Sequence, residues 1–184
     1  MIFFGATIAI FILILFYGIS VYNGLVRKKN EMQEGWSSID VFLKKRYDLI
    51  PNLMETVKGY AKHEKELFEN ITKARNLAQN ATTVSEQGKA ESGLKNSMMN
   101  LFAIAENYPE LKANQNFSEL QNELTSLEED IEMARRYYNG TVKDNNIAIE
   151  SFPSNVIANM FTFKKGEFFE ITDSTERKAV KITF

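Results

Sequence analysis

WSSIDVFLKKRYDLIP, residues 36–51, decides how the rest of this 184-residue chain is arranged. It sets one tryptophan, the basic run Lys44-Lys45-Arg46 and Pro51 among regularly spaced apolar positions. Trp36, Ile39 and Leu43 continue a stripe begun by Leu25 and Met32 at helical three- and four-residue steps. The rhythm resumes at Ile50, Leu53, Val57, Tyr60, Leu67, Ile71 and Ala74. Pro51 interrupts the two runs, and a proline inside a helix removes a hydrogen bond and clashes with the preceding turn, at ~3 kcal/mol or more. At a first helical turn it costs almost nothing. The heptad phase from Trp36 through Leu43 and Ile50 to Val57 favours one kinked helix, although it would put Arg46 and Glu64 on the seam. Segment lengths favour a reversal near residues 47–50 with a new helix from about Pro51, and that is the expectation adopted. Stretches 22–47, 51–80, 84–108 and 117–150 are then rods of roughly 38–51 Å at ~1.5 Å per residue. They predict an all-α fold, an antiparallel four-helix up-and-down bundle.

Upstream, residues 2–21 contain no charged side chain. About 20 apolar residues cover the ~30 Å hydrocarbon core of a bilayer, so residues 1–21 read as a transmembrane anchor. A cleaved signal peptide fits less well, since there is no basic leader and only Gly18-Ile19-Ser20 resembles a cleavage site. Arg27, Lys28 and Lys29 follow the span at once. The positive-inside rule then predicts a cytoplasmic domain with the N-terminus outside, the alternative being an extracytoplasmic domain.

Downstream, Ala81-Thr82-Thr83 offers hydroxyl caps before the third helix. That helix takes its face from Leu94, Met98, Leu101, Ile104 and Ala105 and stops before Pro109. Phe117, Leu120, Leu124, Leu127, Ile131, Ala134 and Tyr138 give the fourth helix its apolar face. Residues 151–184 form a separate tail. Residues 155–163 predict a short capping helix, and 168–172 with 180–184 predict a small β-hairpin turned at Asp173-Ser174. Phe161, Phe163, Phe168, Phe169 and Phe184 are too many exposed aromatics for an idle end.

Chemistry is sparse. Basic and acidic residues balance at 22 and 24, which gives no clustered basic face for nucleic acid. The absence of cysteine excludes disulfides, thiol nucleophiles, lipoprotein-type acylation and zinc-thiolate sites. His63 is the only histidine. A carboxylate di-iron bundle needs two Glu-x-x-His motifs and a zinc protease helix needs two histidines, so His63 reads as a solvated side chain. There is no glycine-rich phosphate loop and no nucleophile elbow, and Glu128-Glu129-Asp130 is a wet helix face. No metal, cofactor or catalytic residue is expected. One polar set stands out. Asp40, Arg46, Asp48 and Asn52 cluster at the expected corner, with Arg75, Arg135, Arg136 and Asn139 placed to face them or one another. A network that fixes helix register is favoured over a ligand or lipid-headgroup site, because a buried charge must be paired.

Two long strings complete the picture. YNGLVRKKNEMQEGWSSIDVFLKKRYDLIPNLMETVKGYAKHEKELFENITKARNLA, residues 22–78, closely resembles the LemA family, and ARRYYNGTVKDNNIAIESFPSNVIANMFTFKKGEFFEI, residues 134–171, looks like its C-terminal pattern. Gly35 departs from it, standing where alanine is expected before the tryptophan. Mid-helix glycine costs ~1 kcal/mol relative to alanine. The resemblance implies a bacterial membrane protein with one N-terminal span and a four-helix bundle, with no catalytic residue or cofactor to carry over. It also implies neighbours such as membrane metallopeptidases in the bacterial envelope. The function expected is a self-associating scaffold or adaptor in the membrane. The alternative is a module that binds lipid, peptide or a small ligand near Trp36.

Overall fold

The computed structural model describes residues 2–171. Its described residues are all-helical and contain no strand. The elements are α1 (Ile2–Lys58), α2 (Lys65–Gln79), α3 (Val84–Ala105), α4 (Pro109–Lys112), α5 (Gln115–Glu150) and α6 (Ser154–Met160). The chain divides into two compact units. The first comprises Met1–Ser38 with Ala134–Glu167, and the second Ile39–Met133 with the chain from Phe168.

The reversal expected at residues 47–50 does not occur. α1 runs unbroken through Pro51 to Lys58, and the chain turns instead at residues 59–64, where exposed His63 lies in a turn rather than on a helix. The reason is local and visible. Pro51 has no N–H, so the carbonyl of Tyr47 loses its intrahelical donor. Arg75 on α2 supplies another, its Nε donating to Tyr47 O at 2.7 Å. The helix keeps its course because an orphaned acceptor is satisfied from 28 residues away.

In the second unit, the buried positions of α1 are 39, 43, 46, 47, 50, 53, 54 and 57, with a seam through 39, 43, 46, 50, 53 and 57. The alternating four- and three-residue steps carry the seam straight past Pro51, which faces outward. α2 and α3 pack together, burying Phe68, Ile71 and Ala78 from one and Leu94, Met98 and Leu101 from the other. α3 opens with a capping box at Thr83 and Glu86. The hydroxyl and amide of Thr82, with the amide of Thr83, hold the Glu86 carboxyl below the usual carboxylate range. Leu124, Leu127 and Ile131 on α5 complete this core.

In the first unit, α1 and α5 approach closely at Gly35, where an added Cβ would lie 3.3 Å from Tyr138 Cα. A methyl there would require the neighbouring backbone to give by a few tenths of an ångström. The chain beyond α6 is held by side chains. Asn146 accepts from Gly166 N at 2.8 Å and donates to Gly166 O at 3.0 Å, and Tyr138 Oη donates to Glu167 O at 2.9 Å.

The tail corrects two expectations. Residues 168–171 are not a strand, and the rest of the expected hairpin lies outside the described residues. Nor are all the tail aromatics exposed: Phe163 is half-buried in the first unit and Phe169 fully buried in the second. Glu170 O crosses Gly88 so closely that a Cβ there would sit 2.2 Å from it. Only glycine leaves room for the backbone at that point.

Arg75→Ala should cost about 1–3 kcal/mol by leaving Tyr47 O unpaired. In a Pro51→Ala background the restored amide takes that carbonyl, and the same change should cost about 1 kcal/mol less. Denaturant titration of the detergent-solubilised chain reads the cycle. Equal losses in both backgrounds would show that Arg75 does not stand in for the missing amide.

Candidate functional site

The most unusual chemistry lies inside the second unit. Arg46 occupies a seam position of α1 and is only 3% exposed. An arginine cannot shed its charge there, so burial demands an anion. Arg46 Nη2 pairs with Glu91 Oε2 on α3, and Nη1 pairs with Glu128 Oε1 on α5. Glu91 is as buried as its partner, whereas the Glu128 side chain is 46% exposed. The cluster thus has a sealed end and a wet end.

Neighbouring polar groups complete the sealed end. Tyr47 Oη donates to Glu91 Oε1. Gln87 Nε2 lies 2.8 Å from Tyr47 Oη, 2.8 Å from Glu91 Oε1 and 3.1 Å from Ala78 O. Burial pushes the Tyr47 phenol up from 10 to about 12, partly opposed by the charge of Arg46 and the hydrogen bond from Gln87. Arg46 Nε is buried and makes no hydrogen bond among the described residues.

The polar set read from the sequence is dispersed. Arg46 is the centre of the cluster, and Arg75 touches it indirectly through Tyr47 O. Asp40, Asp48 and Asn52 are exposed on α1, with Asp40, one heptad before Tyr47, contributing only a small upward push on its phenol. Arg135 and Asn139 are half-buried in the part of α5 that belongs to the first unit. Glu91, Gln87 and Tyr47 were missed. A signal for two of them existed: extending the α3 seam back from Leu94 by the same three- and four-residue steps reaches 91 and then 87, both polar and both buried.

Chemically, the cluster ties α1, α3 and α5 together. Among the described residues no group of three or more His, Cys, Asp or Glu side chains gathers to hold a metal. Trp36 lies in the first unit, its ring 5.4 Å from that of Tyr138. A groove of about 510 Å³ beside it is lined by Met32, Gln33, Trp36, Ser37 and Tyr138.

Glu91→Leu should destabilise by about 3–5 kcal/mol, since it strands a buried guanidinium. Adding Arg46→Met should recover most of that loss, which denaturant titration of single and double variants would measure. A double variant no better than the single would remove the pair as the cause. Alkali offers an independent check. The folded pKa of Tyr47 exceeds the unfolded value, so its contribution is intact below pH 10 and is lost as pH rises toward 12. A rise of that size corresponds to about 2–3 kcal/mol. Tyr47→Phe should flatten this alkaline loss, and an unchanged slope would contradict the assignment.

Comparison with known proteins gives relatives at modest identity. The chain is 23% identical over 175 residues to magnetosome protein MamQ 2 of Paramagnetospirillum magneticum, covering 81% of this chain and 64% of that protein. MamQ of Magnetospirillum gryphiswaldense is likewise 23% identical over 174 residues, with 80% and 64% covered. Protein LemA of Metamycoplasma hominis is 27% identical over 175 residues, 93% of this chain and 77% of that one. The chain therefore spans less than two thirds of the length of its MamQ relatives, at 64%. The family model of LemA matches residues 35–184, the whole chain beyond the first part of α1, and the protein belongs to the LemA family.

Proposed function

We propose that this protein is a single-span membrane-anchored scaffold or adaptor of the bacterial envelope, built on a four-helix bundle and working by assembly rather than catalysis. One observation carries the anchor. The apolar window of α1 is long enough to cross a bilayer and none of it is buried within the protein. Exposed residues such as Phe3, Phe11, Leu13 and Phe16 cost free energy in water and gain it in lipid. The bundle is assigned to the cytoplasm, with the N-terminus outside, on the strength of Arg27, Lys28 and Lys29.

The scaffold role draws support from the cluster at Arg46. It invests buried charge in holding three helices together and offers no nucleophile–base pair. The relatives are named for a family and for the magnetosome, not for a reaction. Partners proposed are the lipid bilayer, further copies of the chain, and a membrane protein such as a metallopeptidase, with no nucleic acid. A second reading, a lipid-, peptide- or small-ligand-binding module, has the groove beside Trp36 in its favour. It predicts a shift in the fluorescence of this single tryptophan when ligand is added.

The full chain should stay in carbonate-washed membranes, whereas a chain lacking residues 2–21 should be released. Retention of the truncated chain would remove α1 as the anchor. Detergent-solubilised full chain should run as multiples of its 21.1 kDa mass or cross-link to a membrane partner in native membranes. A lone monomer that cross-links to nothing would end the scaffold proposal.

A further inference from the structure

Exposed large hydrophobic side chains are scattered singly over most of the protein, which is ordinary. They concentrate in two places. One is the apolar start of α1. The other is the segment around α6, where Phe152, Val156, Met160 and Phe161 are 82%, 53%, 65% and 54% exposed. A concentration of that kind marks a surface that meets something apolar.

Residues 152–163, FPSNVIANMFTF, contain no charged side chain, and Lys164 and Lys165 follow immediately. The segment is two-faced. Ala158 is fully buried, and Ile157 and Phe163 pack with Val21, Leu25, Ala148 and Ile149. Phe152, Val156 and Met160, spaced four residues apart, stand outward. The inner face docks on α1 at a definite level. Ile157 Cδ1 lies 3.8 Å from where a Cβ would sit on Gly18, and the Tyr22 ring is 4.7 Å from Phe161 and 5.8 Å from Phe163. Between those aromatics Thr162 takes φ 57, a left-handed turn unusual for a β-branched residue, which brings both rings to the same tyrosine.

Gly18 belongs to the last turn of the expected span, residues 1–21, Tyr22 comes one residue after it, and the first charged side chain, Arg27, follows five residues later. Contacts from Gly18 to Leu25 cover about 10 Å of helix axis, comparable to the depth over which an interfacial helix sits between headgroups and acyl chains. We infer that residues 152–163, centred on α6, form a second membrane-contacting element, lying in the bilayer interface beside α1 with Phe152, Val156, Met160 and Phe161 among lipid. That placement depends on α1 crossing the bilayer. Lipid is the occupant because the outward apolar face emerges where the membrane-spanning run ends. It also lacks charge throughout and is followed by lysines, whose stems reach along apolar surface while their heads stay at the headgroups.

The absence of cysteine allows single-site labels on the full chain. Val156→Cys and Met160→Cys report on α6, Ile14→Cys on the span, and Glu123→Cys on an exposed helix of the second unit. Each carries a polarity-sensitive fluorophore and is reconstituted in mixed phosphatidylcholine–phosphatidylglycerol vesicles. The quenchers are lipids with a nitroxide either near the headgroup or deep in the acyl chain, and circular dichroism confirms that each variant keeps its helix content. Labels at 156 and 160 should emit to the blue and be quenched at least about twofold more by the shallow nitroxide than by the deep one. The label at 14 should show the reverse order, and that at 123 neither effect. Labels at 156 and 160 that behave like 123, while 14 is quenched from depth, would overturn the inference and leave the anchor intact. Blue emission at 156 and 160 without lipid quenching would overturn it in favour of a covering protein. If the label at 14 also escapes quenching, the anchor itself fails and the placement of α6 falls with it.

Discussion

A guanidinium buried on a helix seam cannot be neutralised by losing its proton, so the structure around Arg46 must supply negative charge from other helices. Glu91 does this from inside and Glu128 from the edge. Because both carboxylates come from elements distant in sequence, the pairing selects which faces of α1, α3 and α5 can meet. Apolar seams alone tolerate sliding, since leucine against leucine is nearly indifferent to a shift of one turn. A buried ion pair is not indifferent: a shift would leave full charges unpaired at a cost of several kcal/mol. Tyr47 and Gln87 extend that requirement by engaging the free oxygen of Glu91.

The same few residues settle how far α1 extends. Tyr47 contributes its hydroxyl to the ion cluster and its carbonyl to Arg75, so one residue serves both the seam and the repair at Pro51. A proline that would otherwise end the helix is tolerated because its orphaned acceptor is met from α2. α1 is then one continuous helix from Ile2 to Lys58.

Where α1 leaves its apolar run, the first unit adds the uncharged aromatic segment around α6. In the proposed placement the protein meets lipid twice, once by spanning and once by resting in the interface. Two contacts orient a domain better than one, because a single helix is free to rotate about its axis and to tilt.

The sequence by itself determined the elements whose signals are local. The uncharged run of residues 2–21, the three- and four-residue apolar spacing and the lack of cysteine or paired histidine all follow from residues near one another in the chain, whereas the place of Arg46 on the seam depended on α1 continuing past Pro51. They established an all-helical protein with an apolar start, and the residue strings established its family. Tertiary structure decided what depended on distant partners. Asp40 and Asp48 flank Arg46 in sequence, yet helical geometry turns them outward and Glu91 takes the charge. Pro51 reads as a corner in the sequence, yet Arg75 meets the freed carbonyl of Tyr47 and the helix continues. Phe169 turns inward beneath a backbone crossing that only Gly88 permits, while Phe161 stays outside against Tyr22. In each case the deciding energy is that of a buried group gaining or losing a partner, and the chain order does not say which partner will be near.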